Sequence, residues 1–199
     1  MNIVPMRVPD AWVCTPKIFS DGRGSFLEWF RSDMLGELTG RRFDVQQANH
    51  SVSRRGTLRG LHYADVPPGQ AKFVYCLRGA VLDVVVDIRT GSPTYGAVAT
   101  GLLDDINRQA VFLAEGLGHA FLALTDDTTV AYLTSTTYNP NAEHTINALD
   151  PQLAVQWPDG IDLVLSPRDA IAPTLAEAEA RGLLPSYEDC TKQYAAVSV

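Results

Sequence analysis

The chain has 199 residues, of which 46% are hydrophobic and 20% charged, a size and composition that fit one well-cored globular domain. Its 16 lysines and arginines against 23 aspartates and glutamates give a net charge of −7, which excludes the basic surface expected of a protein that binds nucleic acid or anionic membranes. The most apolar stretch, residues 80–88, contains two aspartates, so no segment approaches the roughly 20 apolar residues needed to span a bilayer.

The first six residues have no basic segment followed by a long apolar core, so they do not resemble a secretory signal, and we expect a cytoplasmic protein. The three cysteines, Cys14, Cys76 and Cys190, form neither an even set nor a C-x-x-C pair and are expected to be reduced thiols. The chain has no internal repeat and no linker rich in proline, glycine or serine. We therefore expect residues 1–199 to form a single domain.

Residues 23–28 combine a cation, an aromatic ring and a carboxylate within a short distance along the chain. On a strand, Phe26 and Glu28 share one face, because side chains alternate with a period of two. There the ring of Phe26 can stack on a nucleobase and the carboxylate of Glu28 can accept a hydrogen bond from it.

Residues 43–148 consist of short β-rich runs separated by turn residues, a spacing that favours an antiparallel sandwich or barrel. Helix signals lie at the edges of this block. Ser32 is placed to cap a short helix that ends at Gly40, and residues 174–177 have the capping-box pattern of a helix stopped by Gly182. The pattern predicts an all-β fold with short flanking helices.

The first candidate for chemistry is His62, which follows Arg59 and Gly60 and precedes a Pro-Pro-Gly turn that returns the chain at Lys72. A hairpin here brings His62 and Lys72 to the same mouth, and with Arg59 it places two cations beside one titratable base. This arrangement suits an anionic substrate with an acidic proton. Taken alone, these residues favour the plainer alternative of surface cations and a hydrogen-bonded core histidine. Strict alternation also puts Arg59 and His62 on opposite strand faces, unless Gly60 allows a bulge.

His119 lies in the segment EGLGHAF, which resembles the second conserved motif of cupin barrels. The first cupin motif needs a His-x-His pair, but His62 is followed by Tyr63 and Ala64. Two separated histidines remain where a catalytic metal needs three or more protein ligands, so we expect a cupin-like barrel without a metal. A metal-dependent cupin, such as a dioxygenase or sugar isomerase, stays as the competing enzyme class and is decided by metal analysis of the purified protein.

Two later residues complete the set of candidates. Tyr132 lies in a predicted strand whose alternation puts Val130, Tyr132 and Thr134 on one face, where a phenol can donate or accept a proton. Asp169 lies in a polar turn just before the predicted capping-box helix that starts near Thr174, and we expect short C-terminal helices from about residue 166. On their own, a sheet-anchoring tyrosine and a solvated aspartate are the simpler interpretations.

Five segments in this order resemble the dTDP-4-dehydrorhamnose 3,5-epimerase family, which comprises cupin-fold enzymes that epimerise dTDP-4-keto-6-deoxy sugars. The resemblance runs from about Ala11 to Tyr187. The segments that carry it are 19–26 (FSDGRGSF), 58–62 (LRGLH), 67–72 (PPGQAK), 83–94 (ending in GSPT) and 165–169 (LSPRD). The resemblance implies a double-sheet jelly-roll barrel that works without a cofactor.

The resemblance also implies catalytic roles. His62 is the general base that removes the proton beside the C4 ketone, and Asp169 orients its imidazole. Lys72 stabilises the enolate oxygen, and Tyr132 is the general acid that returns a proton from the opposite face.

The nucleotide site implied by the resemblance uses residues from several parts of the chain. The residues expected at the diphosphate, the thymine, the deoxyribose and the sugar are Arg23, Arg59, Phe26, Glu28, Gln47, Asn49, Tyr138, Lys72 and His119. Members of the family are homodimers in which an N-terminal strand crosses to the neighbour. Arg23, Phe26 and Glu28 are therefore expected to serve the partner's pocket.

One segment departs from the rhamnose-pathway pattern. Those members usually have Ala-His-Gly-Phe at the second motif, whereas residues 118–121 here are Gly-His-Ala-Phe. That variant resembles epimerases of antibiotic deoxysugar pathways, some of which invert only C3 or only C5. The chain is thus interpreted as a double epimerase or a monoepimerase, with a non-catalytic sugar-nucleotide binding module as the alternative outside enzymes.

Overall fold

A computed structural model describes residues 1–196, which form thirteen strands and four helices. The strands are β1 Asn2–Pro5, β2 Ala11–Thr15, β3 Ile18–Asp21, β4 Gly24–Leu27, β5 Gln47–Ser53, β6 Leu58–Ala64, β7 Lys72–Arg78, β8 Ala80–Asp87, β9 Val98–Asp104, β10 Ala110–Leu113, β11 Leu117–Ala123, β12 Thr128–Thr134 and β13 Glu143–Thr145. The helices are α1 Ser32–Thr39, α2 Pro167–Ala170, α3 Leu175–Ala180 and α4 Tyr187–Ala196.

Two antiparallel sheets pack face to face. One has six strands in the order β1-β2-β10-β7-β12-β5, and the other has five in the order β13-β6-β11-β8-β9. Between them lies an apolar core to which both sheets contribute, including Val74, Val85, Val111, Phe121 and Val130. The predicted all-β, double-sheet jelly-roll fold is confirmed. Strands β3 and β4 pair with each other in a separate two-stranded sheet.

The connection from β6 to β7 differs from the predicted hairpin. β6 belongs to the five-stranded sheet and β7 to the six-stranded sheet, so residues 65–71 carry the chain from one sheet to the other. The hairpin prediction was wrong because pairing is decided by distant strands: β6 pairs with β11 and β13, and β7 with β10 and β12. His62 and Lys72 nevertheless line one cavity, from opposing sheets.

A bulge at Gly60 resolves the conflict over Arg59 and His62. In the ladder between β6 and β11, His62 lies opposite His119, and Arg59 lies opposite Phe121. β6 therefore has two residues between the pairs, Gly60 and Leu61, where β11 has only Ala120. Gly60 adopts φ +113°, a conformation that side chains rarely allow. The extra residue turns both Arg59 and His62 toward the cavity.

Replacing Gly60 with alanine is expected to destabilise the fold. The added Cβ meets the His119 carbonyl oxygen at 2.5 Å and the Ala120 Cα at 2.8 Å, and neither backbone atom can move cheaply. The backbone conformation alone costs about 1–3 kcal/mol for a residue with a side chain. Urea denaturation should show a lower free energy of unfolding. The matched control is Gly101→Ala in β9, where no described atom lies within 4 Å of the added methyl group, and equal losses in both variants would contradict the argument.

The helices agree with the sequence only in part. The capping box of α3 is present, with reciprocal bonds between Thr174 and Glu177, and Gly182 follows the helix with φ +65°. α1 begins at Ser32 itself with Arg31 as its N-cap, so Ser32 is not the predicted cap. The pattern predicted helices from about residue 166, and α2 begins there. No helix in residues 1–196 is long and apolar enough to cross a membrane.

A buried ion network fixes the segment that follows β8. The fully buried Arg89 donates two hydrogen bonds to the Asp87 carboxylate, at 2.8 and 2.9 Å. It also donates to Asp10 at 2.7 Å and to the Tyr194 hydroxyl of α4 at 2.9 Å. Paired charges of this kind are stable in the interior because every one has a partner. Segment 83–94 thus holds the C-terminal helix through Asp87 and Arg89, which do not line the cavity between the sheets.

Candidate active site

A cavity of about 270 Å³ lies between the two sheets. Its walls come from β5, β7 and β12 on one side and from β6, β11 and β13 on the other, with α2 at the edge. Eight of the residues predicted from the sequence line it: Gln47, Asn49, Arg59, His62, Lys72, His119, Tyr132 and Tyr138. The fold therefore gathers polar side chains from segments far apart in the chain around one cavity that is partly open to solvent.

His62 and Asp169 form a hydrogen-bonded pair across 107 positions of sequence. The distance from His62 Nε2 to Asp169 Oδ1 is 2.8 Å, and Asp169 is buried in α2 behind the partly exposed imidazole. Burial raises the pKa of the Asp169 carboxyl, but hydrogen bonds from His62 and Ser166 outweigh it and hold that pKa below its usual range. The ionised carboxylate accepts the Nε2 proton, so Nδ1 is the nitrogen left to accept another.

Lys72 is the first residue of β7 and is almost fully buried in the opposite wall. Removal from water lowers the pKa of the Lys72 ammonium group to about 8, although the carboxylate of Glu143 acts in the opposite direction. When this lysine is protonated, its charge interacts strongly with any group bound in the cavity, because little water remains to screen it.

Tyr132 also lies on the wall opposite His62, on β12. Period-two alternation is confirmed here, since Tyr132 and Thr134 line the cavity and Val130 belongs to the adjoining core. Burial raises the pKa of the Tyr132 phenol, Glu143 raises it further and Arg59 opposes both. The phenol is therefore protonated at neutral pH and is able to donate a proton.

Alternate residues of β5 present a polar row at the cavity mouth. The Gln47 amide donates to Asn49 Oδ1 at 2.8 Å and accepts from the Tyr138 backbone N–H at 2.9 Å. Nearby, Arg59 Nε donates to Ser53 Oγ at 3.1 Å. These bonds fix side chains whose remaining donors and acceptors suit a polar ligand with an anionic group.

Three predicted residues lie elsewhere. Arg23 and Phe26 are on the β3–β4 hairpin, where Arg23 pairs with Asp21 at 2.6 Å and Phe26 is 65% exposed. Glu28 lies beyond the end of β4, 3.5 Å from Arg31. The prediction that Phe26 and Glu28 share a strand face was wrong, because the strand stops at Leu27. Within the single chain, none of the three lines the cavity between the sheets.

Apart from Thr134, which the sequence places on the face of Tyr132, four polar residues of the cavity were missed from the sequence: Ser51, Gln70, Glu143 and Arg168. Ser51 continues the period-two row on β5 and could have been found from that pattern. Gln70 Nε2 approaches Glu143 Oε1 at 3.4 Å, and Arg168 donates to the Glu143 carbonyl oxygen at 2.6 Å. Glu143 lies on a three-residue strand, which is too short to give a recognisable sequence pattern.

The remaining histidine of the cavity, His119, has its own carboxylate partner. His119 Nε2 lies 2.7 Å from Asp83 Oδ2. In residues 1–196, no three histidine, cysteine, aspartate or glutamate side chains are grouped closely enough to hold a metal ion. Each cavity histidine is thus hydrogen-bonded to its own aspartate, His62 to Asp169 and His119 to Asp83.

Comparison with known proteins agrees with this geometry. A family model described as dTDP-4-dehydrorhamnose 3,5-epimerase matches residues 5–177. A Mycolicibacterium smegmatis protein named dTDP-4-dehydrorhamnose 3,5-epimerase is 54% identical over 190 residues, covering 96% of this chain and 94% of the relative. The solved Mycobacterium tuberculosis rmlC epimerase superposes with a TM-score of 0.97 at 50% identity, over 99% of this chain and 100% of that one.

A second solved structure represents enzymes that invert one carbon. ChmJ, a 3'-monoepimerase from Streptomyces bikiniensis in complex with dTDP-quinovose, superposes with a TM-score of 0.95 at 51% identity, over 97% of this chain and 98% of that one. Both the sequence match and the structural matches extend over nearly the whole chain. This chain is an epimerase, and it belongs to the dTDP-4-dehydrorhamnose 3,5-epimerase family.

Proposed function

We propose that the enzyme epimerises dTDP-4-keto-6-deoxy-glucose at C3, C5 or both, through an enolate and without a cofactor, in nucleotide-deoxysugar biosynthesis. The observation that carries the proposal is the His62–Asp169 pair, which faces Lys72 and Tyr132 across one cavity. A base, a cation and a protonated phenol are the groups that proton removal beside a ketone needs. Three buried cysteines with free thiols suit a reducing compartment, and we propose the cytoplasm as its location.

In the proposed reaction, His62 Nδ1 takes the proton from the carbon beside the C4 ketone. The electron pair of that C–H bond moves to the carbonyl oxygen, and the charge of Lys72 stabilises the resulting enolate oxygen. Tyr132 then returns a proton to the same carbon from the other face. His62 and Tyr132 belong to opposing sheets, which supports proton removal and return on opposite faces of a ring lying between them.

The nucleotide is proposed to bind along the mouth. Arg59 is placed to pair with the diphosphate, and Gln47, Asn49 and Tyr138 form a polar row suited to the base and deoxyribose. His119 completes the sugar end of the cavity. The same four catalytic candidates serve one inversion or two, so the seating of the sugar ring decides the product.

Incubation with dTDP-4-keto-6-deoxy-glucose in deuterated water tests the proposed function. We expect deuterium at every carbon that the enzyme inverts, because the proton returned by Tyr132 exchanges with solvent. NMR locates the deuterium. Label at both C3 and C5 identifies a double epimerase, and label at C3 or C5 alone identifies a monoepimerase. Absence of label at both carbons would overturn the enolate proposal.

We also propose that the chain is a homodimer in which the β3–β4 hairpin serves the partner's cavity. The hairpin is an exposed ribbon that carries the half-exposed ring of Phe19 and the exposed ring of Phe26, 6.4 Å apart, together with the exposed cation Arg23. Exposed aromatic groups with an arginine are typical of interface anchors. A partner's hairpin would add Arg23 to the diphosphate contact of Arg59, and the ring of Phe26 to the base contacts of this chain's own cavity.

Mixed dimers test this arrangement. One chain carries His62→Asn and the other carries Arg23→Ala with Phe26→Ala, each purified through its own tag. If the hairpin crosses, one site of the mixed dimer combines an intact cavity with an intact hairpin, and about half of the wild-type rate per dimer returns. If each hairpin serves its own cavity, both sites are defective and the rate stays at the level of the parents. That result, or a monomer by light scattering, would contradict the proposal.

A further inference from the structure

The cavity contains a second histidine–carboxylate pair whose carboxylate has no assigned role. Asp83 lies on β8 and is fully buried, and its Oδ2 is 2.7 Å from Nε2 of His119 on β11. His119 lines the cavity, whereas Asp83 lies behind it and does not. Asp83 can therefore affect a bound sugar only through His119.

The sheet places this pair next to the proposed base. β11 lies between β6 and β8, and His119 stands directly opposite His62 in the ladder with β6. On its other side, Asp83 is opposite Phe121, two residues along β11 from His119. A bound sugar ring that contacts His119 is thus held at a fixed distance from His62.

The hydrogen bonding of Asp83 is unusually sparse for a buried carboxylate. Among the described residues, no hydrogen-bond donor reaches Asp83 Oδ1. The bond from Asp83 Oδ2 to His119 is therefore the link between this carboxylate and the cavity. By contrast, Asp169 also interacts with Ser166 and with the Gly60 backbone. A buried polar atom without a partner costs stability. Such a residue calls for an explanation beyond packing.

We infer that Asp83 is a positioning residue that fixes the tautomer and ring orientation of His119. Its carboxylate accepts the Nε2 proton, so Nδ1 of His119 is the nitrogen presented to the sugar. The inference rests on the proposed function, in which a sugar ring lies between His62 and Tyr132. By holding His119, Asp83 sets how the ring sits over His62 and hence which C–H bond the base reaches.

The first test is a double-mutant cycle of Asp83→Asn with His119→Gln, in the full-length protein. Asp83→Asn is expected to lower kcat/KM by about 10- to 100-fold, by analogy with the loss when the partner that orients a metal-bound histidine is removed. It should also change the ratio of deuterium at C3 and C5. In the His119→Gln background the same change should alter kcat/KM by less than about twofold, since its effect passes through His119.

A matched control is available on the surface. His144 Nε2 lies 2.7 Å from Asp65 Oδ1, the same nitrogen-to-oxygen distance as in the His119–Asp83 pair, but neither residue lines the cavity. Asp65→Asn should leave kcat/KM within about twofold of the wild type. Equal losses from Asp83→Asn in the wild-type and His119→Gln backgrounds would overturn the inference, as would unchanged activity in Asp83→Asn.

A second readout does not depend on activity, and its first part uses only the wild-type protein. Nitrogen-15 NMR of the wild-type imidazoles should show His119 protonated at Nε2, and Asp83→Asn should shift that resonance. A wild-type His119 that is protonated at Nδ1 alone would overturn the inference. If the wild-type enzyme incorporates no deuterium, the proposed function fails while this measurement still reports on Asp83.

Discussion

The His62→Asn variant is expected to lose about 10²- to 10⁴-fold in kcat, the range typical of a single general acid or base. Asparagine keeps a side chain of similar reach but has no nitrogen that can accept a proton at neutral pH. His62 is partly open to the cavity and bonded to Asp169 at 2.8 Å, which is why the role of base is assigned to it. Turnover and deuterium incorporation, both by NMR, measure the loss.

Two comparisons separate lost chemistry from lost structure. His144→Asn removes another histidine with an aspartate at 2.7 Å, outside the cavity, and should leave kcat within about twofold. Calorimetric titration with dTDP should give His62→Asn nearly the wild-type affinity, because the diphosphate and base contacts are assigned to other residues. A His62→Asn enzyme that still turns over within tenfold of wild type would contradict the role of the base.

The sequence predicts the fold better than it predicts the connections. Alternating apolar residues and frequent turns indicate the double sheet, and the face of Tyr132 and the capping box at Thr174 follow from local periodicity. The hairpin between β6 and β7 was wrong because a turn signal gives the position of a reversal but not its pairing partner. Glu28 was misplaced because the end of β4 is set by the length of its hairpin.

The site depends still more on distant contacts. Local patterns did not decide whether His62 is a catalytic base or a hydrogen-bonded core histidine. The family resemblance, rather than spacing, linked it to Asp169, 107 residues away. Glu143 and Arg168 reach the cavity from a three-residue strand and a one-turn helix, elements too short to show a periodicity. Asp83 is an interruption in an apolar strand by sequence, and only the ladder shows that it lies behind His119.

Lys72→Met is expected to lower kcat by about 10²- to 10³-fold, as loss of an oxyanion-stabilising group usually does. Methionine fills much of the same volume but brings no charge to the enolate. Because burial lowers the pKa of Lys72 to about 8, the wild-type rate should decline as pH rises through that value. The residual rate of Lys72→Met should lack this decline, and a decline of the same size in the variant would assign it to another group.

Lys72→Met should also stabilise the fold. A gain in stability together with a loss of kcat distinguishes this prediction from a general structural defect. In the unfolded chain Lys72 keeps its ordinary pKa of 10.5, against about 8 in the folded protein, so between these values the unfolded state binds more protons. Stability from this group therefore rises as pH increases from about 8 to 10.5, and its full penalty applies below about pH 8. At pH 7 that penalty is on the order of 3 kcal/mol.

Urea denaturation at pH 7 should thus give Lys72→Met a higher free energy of unfolding than the wild type, with the difference shrinking toward pH 10.5. Lys192→Met is the matched control, because Lys192 is an exposed lysine of α4 paired with Glu188 at 2.7 Å, and it should change stability and rate little. A Lys72→Met variant that loses both activity and stability would mean that the ammonium group is a structural tie. Gain of stability with loss of rate is expected of a buried charge kept for catalysis, since a packing residue has no reason to remain cationic there.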